Sequence, residues 1–320
     1  MANGTITDAI PNRPEVPATP GPSVFYGARL WRLGLATART LPPGLMRAAV
    51  GAMARTYLLA RPRRREIVVR NLLPLCNGDR AATASAADRL FVNFGRKLAD
   101  LMRFEAGLSL TRRFVALNDW ERFREVEARR QGVLMLTPHL GNWEIGAPLL
   151  VERGVKLLIV TQAEPGEDLT ELRRQSRDRW GVETLVIGRD AFAVVEIIKR
   201  LQDGACVAML IDRPPPTSSV PVTLAGRPFA ASVAPAELAR ASGCALVGVY
   251  IVEQGRGYSA HVLPEFRYDR AALGNRENRR QLAQAIITAF EPVIREHADQ
   301  WYHFVPIWPE ETNSEIPRHP

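Results

Sequence analysis

Cysteine is scarce: Cys76, Cys206 and Cys244 are the three in 320 residues. They are odd in number and widely spaced, and the last two lie in apolar runs, so reduced thiols in a cytosolic compartment are expected rather than a disulfide framework. The five histidines, at 139, 261, 297, 303 and 319, lack Cys or His partners at the short offsets that zinc sites use, and no metal site is expected. Long apolar runs are missing as well. No uncharged stretch approaches the roughly 18 to 20 residues that a membrane-spanning helix needs. There is no GxGxxG after a strand, no P-loop, no GxSxG elbow and no paired CxxC. Nucleotide-cofactor and serine-hydrolase chemistry therefore lack their usual signatures, and no cofactor is expected. No internal repeat is visible.

What is present is enough apolar material, 46% of residues, to bury a substantial core. A net charge of +8 and a pI near 9.9 favour anionic partners: nucleic acid, anionic lipid headgroups, or a phosphorylated or acidic substrate. The basic residues sit mainly on helices with no nucleic-acid reading motif and no basic stripe interleaved with aromatics, which argues against nucleic acid. "RRREIVVR" (63–70), "TRRF" (111–114) and "RFREVEARR" (122–130) are candidate anion-facing segments, or simply solvated helix faces.

Residues 1–23 form a proline-rich leader with little apolar content, expected to be disordered. From 24 to 60 the chain is apolar but interrupted by Arg29, Arg32, Arg39, Arg47 and Arg55, which suggests two amphipathic helices broken at Pro42-Pro43. Such helices could lie on an anionic membrane surface or pack on the rest of the protein. Helical texture continues through 61–131, so 24–131 is expected to be a helical N-terminal region.

At Gly132 the pattern changes. "VLMLT", "VKLLIV", "ETLVIG", "CVAMLI" and "ALVGVYIV" are short apolar runs rich in β-branched residues. Helical segments around 143–153, 167–179, 190–202 and 233–242 separate them, with a last helix at 277–298. This alternation predicts an α/β fold over 132–310 with a mostly parallel central sheet flanked by helices, forming one domain with the preceding helices. "GYSAHVLPEF" reads as an additional edge strand, and 311–320 as a flexible tail.

Ligands of open α/β sheets bind at the carboxyl ends of the strands. His139 follows the apolar run Val133 to Leu136 at such an end, within "HLGNWE". Glu144 stands five residues on, an offset that does not face its partner on a helix, so the two would have to straddle a turn freed by Gly141. A carboxylate beside an imidazole fixes its tautomer and stabilises the imidazolium. Alternatively, Glu144 could simply interact with a helix N-terminus. With no Ser or Cys nucleophile nearby, the pattern suggests direct general-base activation of a substrate hydroxyl or amine, worth about 10² to 10⁴ in rate. Water as the hydroxyl would make the protein a hydrolase. Trp143, Trp301, Tyr302, Phe304 and Trp308 could line an acyl pocket or belong to the core.

"HLGNWE" is similar to the H-x-x-x-x-[D/E] block of the glycerolipid and lysophospholipid acyltransferase superfamily. The form is that of the bacterial lipid A biosynthesis (lauroyl/myristoyl) acyltransferases and the related phosphatidylinositol mannoside acyltransferases. "RQSRDRWG" (174–181) resembles that family's Arg-x-Arg stretch. "LQDGACVAMLIDRPP" and "VTLAGRPFAASVAPAELARASGCALVGVY" are similar to its next two blocks, in order and spacing over roughly 60–310. The resemblance implies an O-acyltransferase that moves a fatty acyl group from an acyl carrier protein or acyl-CoA thioester to a hydroxyl of a glycolipid or lipid A-type acceptor, without a covalent intermediate. It implies His139 as the base, Glu144 as its orienting acid, and Asn142, Arg177, Arg179 and Asp212 as substrate-binding positions. It also implies work at the cytoplasmic face of the inner membrane, in lipid A or lipopolysaccharide biosynthesis or in phosphatidylinositol mannoside-type acylation. The chain departs from the family at Asp212-Arg213, where Asp-Gln is usual, and in the three prolines that follow.

Overall fold

The computed structural model describes residues 27–187 and 192–309. The expected leader and tail lie outside the described residues. The chain opens with four helices: α1 (Ala28–Thr40), α2 (Pro43–Ala60), α3 (Pro62–Leu72) and α4 (Arg80–Glu105). Then come β1 (Phe114–Asn118), α5 (Trp120–Glu127), β2 (Val133–Thr137), α6 (Gly146–Val151), β3 (Leu157–Gln162), α7 (Glu167–Asp178), β4 (Glu183–Ile187), α8 (Ala193–Gln202) and β5 (Cys206–Leu210). A hairpin of β6 (Ser219–Leu224) and β7 (Arg227–Ser232) leads into α9 (Ala234–Ser242), β8 (Ala245–Gln254), β9 (Gly257–Phe266) and α10 (Arg276–Glu296).

The seven-stranded sheet has the order β1-β9-β8-β2-β5-β3-β4. Strands β8, β2, β5, β3 and β4 run parallel, whereas β9 is antiparallel to β8 and β1 is parallel to β9. This is the expected α/β architecture with two corrections. Phe114–Asn118 is a strand within the stretch read as helical, and it covers the outer side of β9, which is therefore not an edge. In β1 only Val115 is exposed and the other four positions are half-buried, with a register irregularity between Phe114 and Ala116, so the strand carries no clean two-residue period.

Central β2 is buried at every position. Its Leu134 and Leu136 join the core under α9 and α10, while Val133 and Met135 join the one under α5. Both faces are covered, which is why the strand reads as an unbroken apolar run.

Helix α4, 26 residues long, is the backbone of the helical region. Asp79 caps it by accepting from the amides of Ala81 and Ala82 at 2.9 and 3.0 Å. Helices α1 and α2, broken at Leu41-Pro42, pack on it through Trp31, Leu35, Ala38 and Met46. Arg47, one of the charges breaking this apolar stretch, turns inward to Asp100 and Glu253. Leu30, Leu33, Leu45, Met53 and Leu59 remain exposed.

Candidate active site

Strands β2 and β5 are adjacent and parallel, with Thr137 opposite Leu210. Two residues further along each strand's path stand His139 and Asp212, so an in-register ladder brings together side chains 73 residues apart. The His139 Nδ1 lies 2.6 Å from Asp212 Oδ1, and the His139 backbone amide donates to Oδ2 at 2.9 Å. Trp301 Nε1 and His303 Nε2 also reach Oδ2, each at 2.9 Å. Four donors thus surround one carboxylate that is 3% exposed.

This network fixes the protonation states. Burial alone would push the Asp212 pKa up, but its interactions with His139 and then His303, each hydrogen-bonded to it, outweigh burial and hold the group well below the usual carboxylate range. Burial pushes the His139 pKa down; Asp212 opposes this, whereas Arg213 and Lys97 reinforce it. An ionised Asp212 accepts the Nδ1–H of His139, which leaves Nε2 with the lone pair and no protein partner among the described residues. Burial brings His303 down to about 4, helped by Arg213. It too is neutral, donating through Nε2 to Asp212.

The loop carrying His139 is stapled on both sides. The His139 carbonyl accepts from Tyr302 at 2.9 Å, Gly141 donates to Gln300 at 2.8 Å and Asn142 donates to Ile251 at 2.9 Å. Gly141 has φ +60, and a Cβ there would run into the carbonyl oxygen of Ile251, so glycine is required by both conformation and space.

Glu144 does not meet His139. The tight 3-10 turn Trp143–Ile145 carries its carboxylate away toward α4 and α7, where it contacts Lys97 Nζ at 3.2 Å, Arg173, and Arg177 at 3.7 Å. Arg173 in turn engages Glu105 at 3.1 Å and Glu164. The Trp31 indole of α1 donates to Glu105 at 2.6 Å. Lys97 sits 3.3 Å from the ring centroid of Trp143, which meets the His139 ring edge-on at 5.1 Å. Burial, with Arg173 and Arg213 nearby, presses the Lys97 pKa well down. Glu144 is therefore linked to His139 through Lys97 and Trp143, and the orienting acid is Asp212.

A cavity of about 620 Å³ opens at His139. One part of its wall is apolar, with Leu117, Phe123, Met135, Leu157, Ile159 and Val249; Lys97, Glu144, Glu164, Arg173, Arg177 and Arg213 supply charge elsewhere. Of the sequence-derived candidates, His139, Glu144 and Arg177 line the cavity. Asp212 lies behind His139, orienting it from below the cavity wall. Asn142 is also behind the wall, 1% exposed, with its side chain donating to the Tyr258 hydroxyl. Arg179 contacts the Glu105 carbonyl and Ser176, pinning the end of α7 to the end of α4.

Among the aromatics, Trp143, Tyr302 and Phe304 reach the cavity. Trp301 is fully buried as a donor to Asp212, and Trp308 packs beside Phe229. Sequence reasoning missed Lys97, Arg173 and His303. The nearest signal was "WYHF", where a histidine stands inside an aromatic cluster.

A family model described as bacterial lipid A biosynthesis acyltransferase matches residues 24–309. Among curated proteins, the phosphatidylinositol mannoside acyltransferases of Mycobacterium tuberculosis strains CDC 1551 / Oshkosh and ATCC 25618 / H37Rv are each 26% identical to this chain over 178 residues, which is 55% of it and 54% of each relative. The phosphatidylinositol mannoside acyltransferase of Mycolicibacterium smegmatis (strain ATCC 700084 / mc(2)155) is 25% identical over 179 residues, 56% of this chain and 57% of its own. The chain spans about half the length of the curated relatives it matches.

Proposed function

The chain belongs to the bacterial lipid A biosynthesis acyltransferase family, and from that premise we propose that it transfers a fatty acyl group from a thioester to a hydroxyl of a glycolipid. The observation that carries the mechanism is the His139–Asp212 contact, with Nε2 left as the free basic nitrogen at the cavity. Nε2 takes the proton of the acceptor hydroxyl as its oxygen attacks the thioester carbonyl. The tetrahedral intermediate then collapses, the carbon–sulfur bond breaks, and the imidazolium returns the proton to the departing thiolate. The products are an ester and a thiol, with no acyl-enzyme. Asp212 stabilises the imidazolium without taking its proton.

The donor in this reading is acyl carrier protein or acyl-CoA, and its chain occupies the apolar wall near Met135 and Phe123, gaining on the order of 0.8 kcal/mol per buried CH₂. The acceptor is a glycolipid of the lipid A or phosphatidylinositol mannoside kind, a choice supported by the names of the family and of the relatives. No helix among the described residues is long and apolar enough to cross a membrane. We place the protein at the cytoplasmic face of the inner membrane, held peripherally through the exposed leucines of α1 and α2.

The test is incubation of the purified protein with radiolabelled acyl-carrier-protein or acyl-CoA thioesters and a lipid extract. Label should pass to a glycolipid with the wild type, and His139→Ala should lower the rate by about 10² or more. A variant retaining more than roughly a tenth of the rate would refute the general base. Label appearing only as free fatty acid would make the protein a thioesterase.

A further inference from the structure

Arg213 differs from the other cations of the cavity wall. Arg173 is matched by Glu105, Glu144 and Glu164, and Lys97 and Arg177 both contact Glu144. Arg213 has no carboxylate within ion-pair distance among the described residues; its hydrogen-bond partner is Nδ1 of the neutral His303, a long contact at 3.5 Å from Nε. Its sequence neighbour Asp212 is occupied by four donors and faces the other way, toward His139, His303 and Trp301. The terminal Nη1 and Nη2 groups are thus left to the cavity that Arg213 lines.

The setting suits an anion. Arg213 is exposed and lines the cavity, so its guanidinium is open to a solute that enters there. The protein around it pushes its pKa down and Asp212 offsets this in part, and an anion seated against the guanidinium would gain charge-assisted hydrogen bonds. The chain at Arg213 is stiff, because Pro214, Pro215 and Pro216 follow, fixing their own φ angles and restricting the residue before them to extended backbone. Ser218 and Ser232 stand on the same stretch of wall. A guanidinium is a planar fork whose paired N–H groups match two oxygens of a phosphate.

We propose that Arg213 is the receptor for a phosphate group of a substrate, holding it in the cavity beside His139. The proposal rests on the acyl-transfer reading, which supplies two sources of such a group: the headgroup of a phospholipid-based acceptor, or the phosphates of the donor's pantetheine arm.

Isothermal titration of the full chain separates the sources. Glycerol 3-phosphate is compared with glycerol for the acceptor arm, and coenzyme A with pantetheine for the donor arm, in the wild type, Arg213→Gln and Arg213→Lys. Arg213→Gln should weaken binding of glycerol 3-phosphate or of coenzyme A by about tenfold or more, and the arm that responds names the source. Glycerol and pantetheine should bind all variants alike. Arg213→Lys, which keeps the charge but not the fork, should fall between the wild type and Arg213→Gln. Thermal melts matching the wild type show that each variant is folded. Phosphate-bearing and phosphate-free probes binding equally to the wild type, or Arg213→Gln binding both phosphate probes as well as the wild type, would overturn the proposal. His139→Ala should bind the phosphate probes normally. Arg213-dependent phosphate binding in a protein that transfers no acyl group would count against the acyl-transfer reading and leave this site standing.

Discussion

His139 Nδ1 and Asp212 Oδ1 meet at 2.6 Å because β2 and β5 are paired in register and each chain continues by two residues past its last paired position. Neither residue needs a long or flexible approach. Asp212 is held by Trp301 and His303 before any substrate arrives, so the imidazole is oriented in advance.

The relative cost of losing the two acids follows from this. Asp212→Asn leaves three other hydrogen-bonded groups facing an amide and removes the charge that stabilises the imidazolium; kcat should fall by roughly 10² to 10⁴ with KM little changed. Glu144→Gln should fall by about tenfold or less, since Glu144 reaches His139 only through Lys97 and Trp143. Steady-state kinetics decide, and a larger loss in Glu144→Gln would return the orienting role to Glu144.

The pH dependence of kcat/KM reports the free base. With His139 depressed by burial and by Arg213 and Lys97, the acidic limb should have its midpoint below the ordinary histidine value of about 6.5. Asp212 is the opposing influence that raises this pKa. In Asp212→Asn the residual activity should therefore show a limb moved further to the acid side, even though its plateau is lower. A midpoint above about 7 in the wild type would contradict the neutral-base assignment.

His303 makes a separate prediction about stability. Its folded pKa, near 4, lies below the unfolded value of about 6.5, so the unfolded chain binds more protons as the pH falls. Its contribution is fully present above about pH 6.5 and is lost progressively down to about pH 4, on the order of 3 kcal/mol in all. Denaturant midpoints should drop across that window and drop less in His303→Gln, which cannot titrate. Equal slopes in both proteins would show that His303 is not the group responsible.

The sheet was legible because strands buried on both faces read as unbroken apolar runs, as Val133 to Leu136 does before Thr137 closes the strand. The histidine was legible for a related reason: it terminates such a run. The pairing of its ring was not. Glu144 is near His139 in sequence, whereas Asp212 is near only after β2 and β5 have paired, and local offsets carry no record of strand order. Arg173 illustrates the same limit. It looks like one of several helix arginines, yet it is 5% exposed and holds three carboxylates contributed by three separate segments. Only α4 packing against α7 reveals it.

The outer face of α1 and α2 yields the last prediction. Trp31, Leu35 and Ala38 point inward, which turns Leu30 and Leu33 outward, 44% and 61% exposed, with Arg29 and Arg32 beside them on the surface. Met53 and Leu59 of α2 are 63% and 87% exposed, near the exposed Arg55. Apolar side chains flanked by arginines gain from an anionic bilayer surface in two ways: burial of each leucine contributes on the order of 1.5 to 3 kcal/mol, and each arginine near the surface about 1 kcal/mol. The full chain should therefore co-sediment with vesicles containing anionic phospholipid more strongly than with neutral ones, and added salt should weaken the binding. Leu33→Asp combined with Met53→Asp should reduce vesicle binding by about tenfold or more while leaving turnover of a soluble acyl thioester near the wild-type value, because neither residue contacts the cavity. Undiminished vesicle binding in that double variant would remove α1 and α2 as the membrane-facing surface.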